Sequence, residues 1–259
     1  MRPMVYAHRG GAALAPENTF AAFDNGLACG ADGLEFDVHL SRDGVPVVMH
    51  DPTVDRTTNG TGPIADMTAA ELAALDAGYR FSRDGAFPFR GQRVGVPTLR
   101  DVIARYPAAH LLVELKSTDP QLASAVVEQI RAVDGLDRIA VGSFHQGALA
   151  EVRAREPRLK TGADTDEIRG AITGTLFGHG APPPLFHSFQ VPEVHSGTRV
   201  VTPEFVAGAH RIGAIVIVWT VDREDDILRL LDWGVDGLIT DRPDVAVPVV
   251  KAWDERRSR

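Results

Sequence analysis

Eight short apolar runs alternate with helix-patterned stretches along this chain, and that alternation limits its fold more than any other feature. The runs lie at 6–8 (YAH), 34–38 (LEFDV), 111–115 (LLVEL), 139–143 (IAVGS), 159–163 (LKTGA), 184–188 (PLFHS), 215–219 (IVIVW) and 237–240 (GLIT). The intervening segments show helical spacing. In 202–213, for example, Phe205, Val206, Ala209 and Ile212 recur three to four residues apart. Strands joined through helices run parallel, and their crossovers are right-handed. A parallel sheet needs both faces covered, and eight such units close into a TIM (β/α)8 barrel. The competing doubly wound sheet calls for about six strands and a GxGxxG turn after the first. The first turn here, HRGGAALAPENT at 8–19, lacks that pattern. The expectation is therefore one α/β barrel domain over residues 1–259, a size at which such barrels are commonly single domains.

One stretch breaks the rhythm. Residues 52–97 are rich in Gly, Pro, Thr, Asp and Arg, with one short helix expected at 68–76. This is too long for a plain connection, so it reads as a small insertion after the second strand, of the kind that forms lids or binding loops. VPVVMH at 45–50 follows an SRDG turn and reads as a hairpin partner of that second strand. Thr19 or Asn18 is expected to cap the first helix, Gly26 and Gly30 to mark its end, and Thr98 to cap a later one.

Composition excludes several function classes. The net charge is -8 and no cluster of basic residues stands out, which argues against a nucleic-acid partner. The lone Cys29 rules out a disulfide framework and a thiol-rich metal site, and is expected to pack in the core. No apolar run reaches the ~18 residues of a membrane span. The N-terminus MRPMVYAHRG lacks the pattern of a signal peptide, so a cytoplasmic protein is expected. Nothing in the sequence speaks to oligomeric state.

The second strand carries acids where an apolar core belongs. Side chains two apart on a strand share a face, about 7 Å apart at Cα, so Glu35 and Asp37 are neighbours. In a barrel, catalytic groups sit at the C-terminal strand ends. There the sequence places His8-Arg9, Glu35 with Asp37, Glu114 with Lys116, Ser143, a position near His187, Trp219, and Thr240-Asp241. His50 returns through the hairpin. Glu35, Asp37 and Glu114 would repel one another without a cation. A hard divalent ion such as Ca²⁺ or Mg²⁺ takes oxygen ligands and resolves this. The alternative is that Arg9 and Lys116 merely pair with these acids. His8 and His50 are the acid/base candidates, because imidazole titrates near neutrality. Arg9 and Lys116 supply positive charge suited to a phosphate. The combination points to phosphoryl chemistry.

With these residues in view, the chain resembles the glycerophosphodiester phosphodiesterase family. The resemblance rests on AHRGG at 7–11, PENT at 16–19, the E-x-D pair at 35 and 37, HD at 50–51, VELK at 113–116, VWTVD at 218–222 and GVDGLITDRPD at 234–244. It implies metal-dependent cleavage of glycerophosphodiesters to glycerol 3-phosphate and an alcohol, within lipid and glycerol metabolism. It implies His8 and His50 as the acid/base pair and Glu35, Asp37 and Glu114 as ligands of one Ca²⁺ or Mg²⁺. Arg9, Lys116 and Trp219 match substrate-binding positions. Glu17 and Asn18 are expected to brace the site, His39 to play a supporting role, and Asp51 to orient His50 or cap a turn. His145, His179, His187, His195 and His210 match no catalytic position. Two other readings stand beside this one. A lysophospholipase D-like or sphingomyelinase D-like enzyme would need an apolar groove, which Phe81, Phe87 and Phe89 could supply. A barrel that binds phosphodiesters without turnover is the non-enzyme alternative.

Overall fold

The computed structural model describes residues 2–133, 135–178 and 183–258. The elements follow one another as β1 (Met4–His8), α1 (Phe20–Ala28), β2 (Gly33–Leu40), β3 (Pro46–Val48), a 3-10 turn (Ile64–Asp66), α2 (Ala69–Ala73), α3 (Leu99–Arg105), β4 (His110–Leu115), α4 (Pro120–Ala132), β5 (Ile139–Gly142), α5 (Gln146–Arg155), β6 (Lys160–Thr161), α6 (Thr165–Ile172), β7 (Ser188–Pro192), β8 (Val194–His195), β9 (Thr198–Arg199), α7 (Pro203–Arg211), β10 (Ile215–Trp219), α8 (Glu224–Asp232), β11 (Gly237–Thr240) and α9 (Pro243–Arg257). Eight parallel strands lie in the order β6-β5-β4-β2-β1-β11-β10-β7. The ring meets itself through a bridge between Gly162 and Ser188. There the Ala163 N–H donates to the Ser188 carbonyl, and the His187 N–H to that of Thr161, at 2.8 Å each. The expected TIM barrel is what the chain forms.

Alternation along the strands sorts the side chains into two cores. Leu34, Phe36 and Val38 of β2 and Leu111, Val113 and Leu115 of β4 point outward and are buried beneath the helices. Tyr6, Leu112, Ala140, Ile217 and Ile239 point inward and plug the barrel. Period 2 then sends His8, Glu35, Asp37, Glu114 and Trp219 inward as well, toward the C-terminal rim. The acids of β2 therefore belong to the lumen, and the outer core remains apolar.

Local chemistry sets the ends of the elements. The hydroxyls of Thr19, Thr98 and Thr202 cap α1, α3 and α7, accepting from the N–H groups of Ala22, Asp101 and Phe205. Gly26 departs from expectation. It lies inside α1, where a Cβ would come within 2.6 Å of the Gly10 carbonyl oxygen, and the helix runs on to Ala28. Gly30, at φ +92°, follows the helix as a glycine can. Cys29 is the C-cap of α1 and is half-buried, outside the core where it was expected. The sixth barrel strand, β7, is also displaced from the apolar run at 184–188. It begins at Ser188, so His187 precedes it and Gln190 takes the inward rim position. Pro184 has no N–H for the ladder, whereas Phe189 and Val191 pair with Val216 and Val218 of β10 and bury completely.

β3 pairs antiparallel with β2, Val38 opposite Val48, as the hairpin reading required. The 52–97 segment packs over it on a small apolar core of Val47, Met49, Val54, Ile64, Leu72, Ala77 and Val96. Among the described residues, no helix is long and apolar enough to cross a membrane.

Candidate active site

Strand register brings the candidate residues together. His8 stands opposite Glu35 across β1 and β2, and Asp37 opposite Glu114 across β2 and β4. Carboxylate oxygens of Glu35, Asp37 and Glu114 all lie within 4.8 Å of one another. Glu35 and Asp37 are almost fully buried. Glu35 and Glu114 line a cavity of about 260 Å³ together with His8, Arg9, His50 and Lys116. Trp219 and Phe144, in edge-to-face contact at 5.8 Å, line the same cavity.

The loop after β1 holds the acids in place. The Arg9 N–H donates to Glu35 Oε2 at 3.1 Å. The Asn18 amide donates to Asp37 Oδ2 at 2.9 Å. The Asn18 N–H in turn donates to the Arg9 carbonyl at 2.9 Å. Both residues sit in the left-handed region, at φ 49° and 59°. That conformation disfavours side chains by about 1–2 kcal/mol, and here it aims one donor at each acid. The Arg9 guanidinium reaches Glu17 at 2.9 Å and stands 3.4 Å from Asp37. Lys116 bridges Asp37 and Glu114 at 3.1 and 2.9 Å. The pairing considered from the sequence thus exists, and among the described residues it leaves Glu35 without a side-chain cation in hydrogen-bonding contact.

The electrostatics follow from that shortage. Burial raises the pKa of Glu35, and the charge of Asp37 raises it further. Burial also raises that of Glu114. Burial acts the same way on Asp37, but Lys116, Arg9 and the Asn18 hydrogen bond outweigh it and hold its pKa below the usual range. Three converging carboxylates, with Glu35 held by a backbone N–H and 3.9 Å from His8, are a donor set of the kind a hard divalent cation takes.

Each rim histidine has a carboxylate behind it. His8 Nδ1 lies 2.7 Å from Asp241 Oδ1, with Nε2 on the cavity side, 3.9 Å from Glu35. His50 Nδ1 lies 2.7 Å from Asp51 Oδ1. An aspartate on Nδ1 fixes the ring and its tautomer, leaving Nε2 for proton transfer. Burial works against a charged His8, but the Asp241 hydrogen bond and the charges of Glu35 and Asp241 raise its pKa overall. His39 follows Asp37 on the same face of β2 but is absent from the cavity lining. Its Nε2–H donates to the His50 carbonyl at 3.0 Å, and burial lowers its pKa.

Other residues are sorted by position. His187 is absent from the cavity lining and Gln190 is present, a consequence of the shifted β7. His210 pairs with Asp236, whose carboxylate also accepts from the Val216 N–H. His179 lies outside the described residues. Phe81, Phe87 and Phe89 do not line the cavity; Phe81 and Phe89 pack on each other at 5.5 Å. Two contributions escaped the sequence. Asp241 was visible at a strand end, but only the neighbouring of β1 and β11 shows that it serves His8. Gly142 and Gly162 leave room in the lumen for the Gln190 side chain, which sequence spacing does not reveal.

Comparison with known proteins places the chain in a family. A family model described as the glycerophosphoryl diester phosphodiesterase family matches residues 8–245. A glycerophosphodiester phosphodiesterase of Caldanaerobacter subterraneus subsp. tengcongensis is 36% identical over 258 residues, 97% of this chain and 99% of that protein. The solved structure of a glycerophosphodiester phosphodiesterase from Agrobacterium tumefaciens superposes with a TM-score of 0.76 at 29% identity, covering 94% of this chain and 98% of that one. An Oleispira antarctica phosphodiesterase, solved with its product sn-glycerol-3-phosphate, gives 0.79 at 29% identity, covering 96% and 97%.

Proposed function

Since the chain belongs to the glycerophosphoryl diester phosphodiesterase family, we propose that it hydrolyses small glycerophosphodiesters to glycerol 3-phosphate and an alcohol, using one divalent cation and two histidines. The whole chain acts as one barrel domain, with 52–97 inserted in it. The observation that carries the reading is the convergence of three carboxylates and two aspartate-backed histidines on one cavity. The product held by the Oleispira antarctica relative supports the same substrate class.

Glu35, Asp37 and Glu114 would hold the cation. A bound Ca²⁺ or Mg²⁺ supplies Lewis-acid polarisation of a phosphate oxygen and a template for the substrate. The protein supplies the remainder. One histidine accepts the proton of the attacking hydroxyl as the new P–O bond forms. The other donates a proton to the departing alkoxide as the old P–O bond breaks. Arg9 and Lys116 offset negative charge on the phosphoryl oxygens. Trp219 and Phe144, which line the same cavity, flank the substrate there. The attacking hydroxyl belongs to water or to the glycerol of the substrate; the second route passes through a cyclic phosphate, whose ring P–O bond water then breaks to give glycerol 3-phosphate. Trapping that cyclic phosphate by rapid quench distinguishes the two.

The deciding experiment is glycerophosphocholine turnover with coupled detection of glycerol 3-phosphate. His8→Ala and His50→Ala should each lose activity while remaining folded. Near-wild-type rates in either variant overturn the assignment of that histidine.

A further inference from the structure

Arg56 ties the 52–97 segment to two carboxylates behind the catalytic centre. The turn that presents it is anchored at both ends. Val54 is fully buried in the small apolar core. The buried Thr58 hydroxyl donates to the Val54 carbonyl at 2.8 Å and accepts from the Gly60 N–H at 2.9 Å. Asp55 accepts from the Gly62 N–H at 3.0 Å.

From this turn the Arg56 guanidinium forks onto two carboxylates. Nη1 and Nη2 each donate to one Glu17 oxygen at 2.7 Å. Nε donates to Asp51 Oδ2 at 2.5 Å, and Nη2 reaches Asp51 Oδ1 at 3.3 Å. Asp51 Oδ1 is the atom that meets His50 Nδ1, and Glu17 Oε1 is the atom that accepts from Arg9 Nη1. A single planar cation thus links the two carboxylates behind the cavity, one seating a histidine and the other an arginine. Such a fork is rigid and specific for carboxylates, and a lysine cannot reproduce it. Arg56 itself does not line the cavity.

We propose that Arg56 is a positioning residue, which fixes His50 through Asp51 and Arg9 through Glu17, so that the 52–97 segment controls turnover through this side chain. Without it, Glu17 and Asp51 lose the cation they share, and both dependent groups lose their fixed orientation. The inference rests on the reading of His50 as a proton-transfer group.

The test is steady-state kinetics on glycerophosphocholine with Arg56→Gln, Arg56→Lys, Asp51→Asn, the Arg56→Gln/Asp51→Asn double variant and Arg42→Ala. Arg42 also ties the segment down, through the Asp66 carbonyl and Glu71, without touching Asp51 or Glu17. Arg56→Gln should lower kcat by roughly 10- to 100-fold, as loss of an orienting partner does, with KM changing less. Its cost should shrink in the Asp51→Asn background, and Arg42→Ala should keep wild-type kcat. Wild-type kcat in Arg56→Gln, an equal loss in Arg42→Ala, or an equal factor on both backgrounds overturns the proposal. Should Arg56→Gln not fold, Arg56→Lys keeps the charge without the fork and carries the same comparison. Retained turnover in His50→Ala would defeat the reading of His50 itself. Lost turnover there with intact Arg56→Gln defeats only this inference.

Discussion

His8 and Asp241 are 233 positions apart in the chain and 2.7 Å apart at Nδ1 and Oδ1. The barrel makes them neighbours because β1 and β11 are adjacent, with Ala7 level with Thr240. Asp222 locks that end of β11. It accepts from the Asp241 N–H at 2.8 Å and from the Thr240 hydroxyl at 2.9 Å. Loss of a general acid or base costs roughly 10²–10⁴ in rate, so His8→Ala should fall in that range. Asp241→Asn should lose a smaller factor, because the ring keeps its place but loses its charge partner. Rates measured beside thermal unfolding check both. An Asp241→Asn enzyme as fast as wild type would separate Asp241 from catalysis.

Removal of the cation is the second prediction. Chelation with EDTA should abolish turnover, and Ca²⁺ or Mg²⁺ should restore it. Burial and Asp37 favour the protonated form of Glu35, so binding of the cation should displace a proton. Affinity should therefore weaken as pH falls. Titration calorimetry in buffers of different ionisation enthalpy reads the released proton directly. Activity that survives exhaustive chelation would leave the three acids a structural role.

Gly26→Ala sets two effects of opposite sign against each other. Alanine gains about 1 kcal/mol over glycine within a helix. The added Cβ would lie 2.6 Å from the Gly10 carbonyl oxygen and 2.7 Å from Ala7 Cβ, both on or beside β1. Overpacking against backbone costs about 1–3 kcal/mol, so the variant should be less stable despite its better helix propensity. Urea unfolding decides the sign, and a stabilised Gly26→Ala would show that the loop yields.

Asp51 makes stability depend on acid. Burial raises its pKa, but the Arg56 and His50 hydrogen bonds prevail and bring it down to about 2. A depressed carboxylate contributes stability that is fully present above its unfolded value of 3.8 and is lost as pH falls toward its folded value. The stability gap between wild type and Asp51→Asn should thus be present above about pH 4 and close between about pH 4 and 2. Denaturation curves across that range test it. A gap independent of pH would mean that Asp51 is not held by these partners.

The barrel was legible in the sequence because strand and helix periods are local properties. Eight apolar runs, each followed by a helical stretch, leave few ways to bury both faces of a parallel sheet. The acids of β2 were legible for a related reason: charge in an apolar run is expensive, so Glu35 and Asp37 stood out. Even Asp51 could be assigned to His50, its neighbour in the chain. What only the tertiary structure decided depends on contacts between distant segments. The displaced start of β7 was set by pairing with β10. The place of Gly26 inside α1 was set by a carbonyl sixteen residues earlier. Asp241 became the partner of His8 through closure of the ring, and Arg56 reached Glu17 and Asp51 through the packing of the 52–97 segment. Sequence periodicity reports which face a side chain takes; only strand register and ring closure bring particular side chains from separate strands into contact.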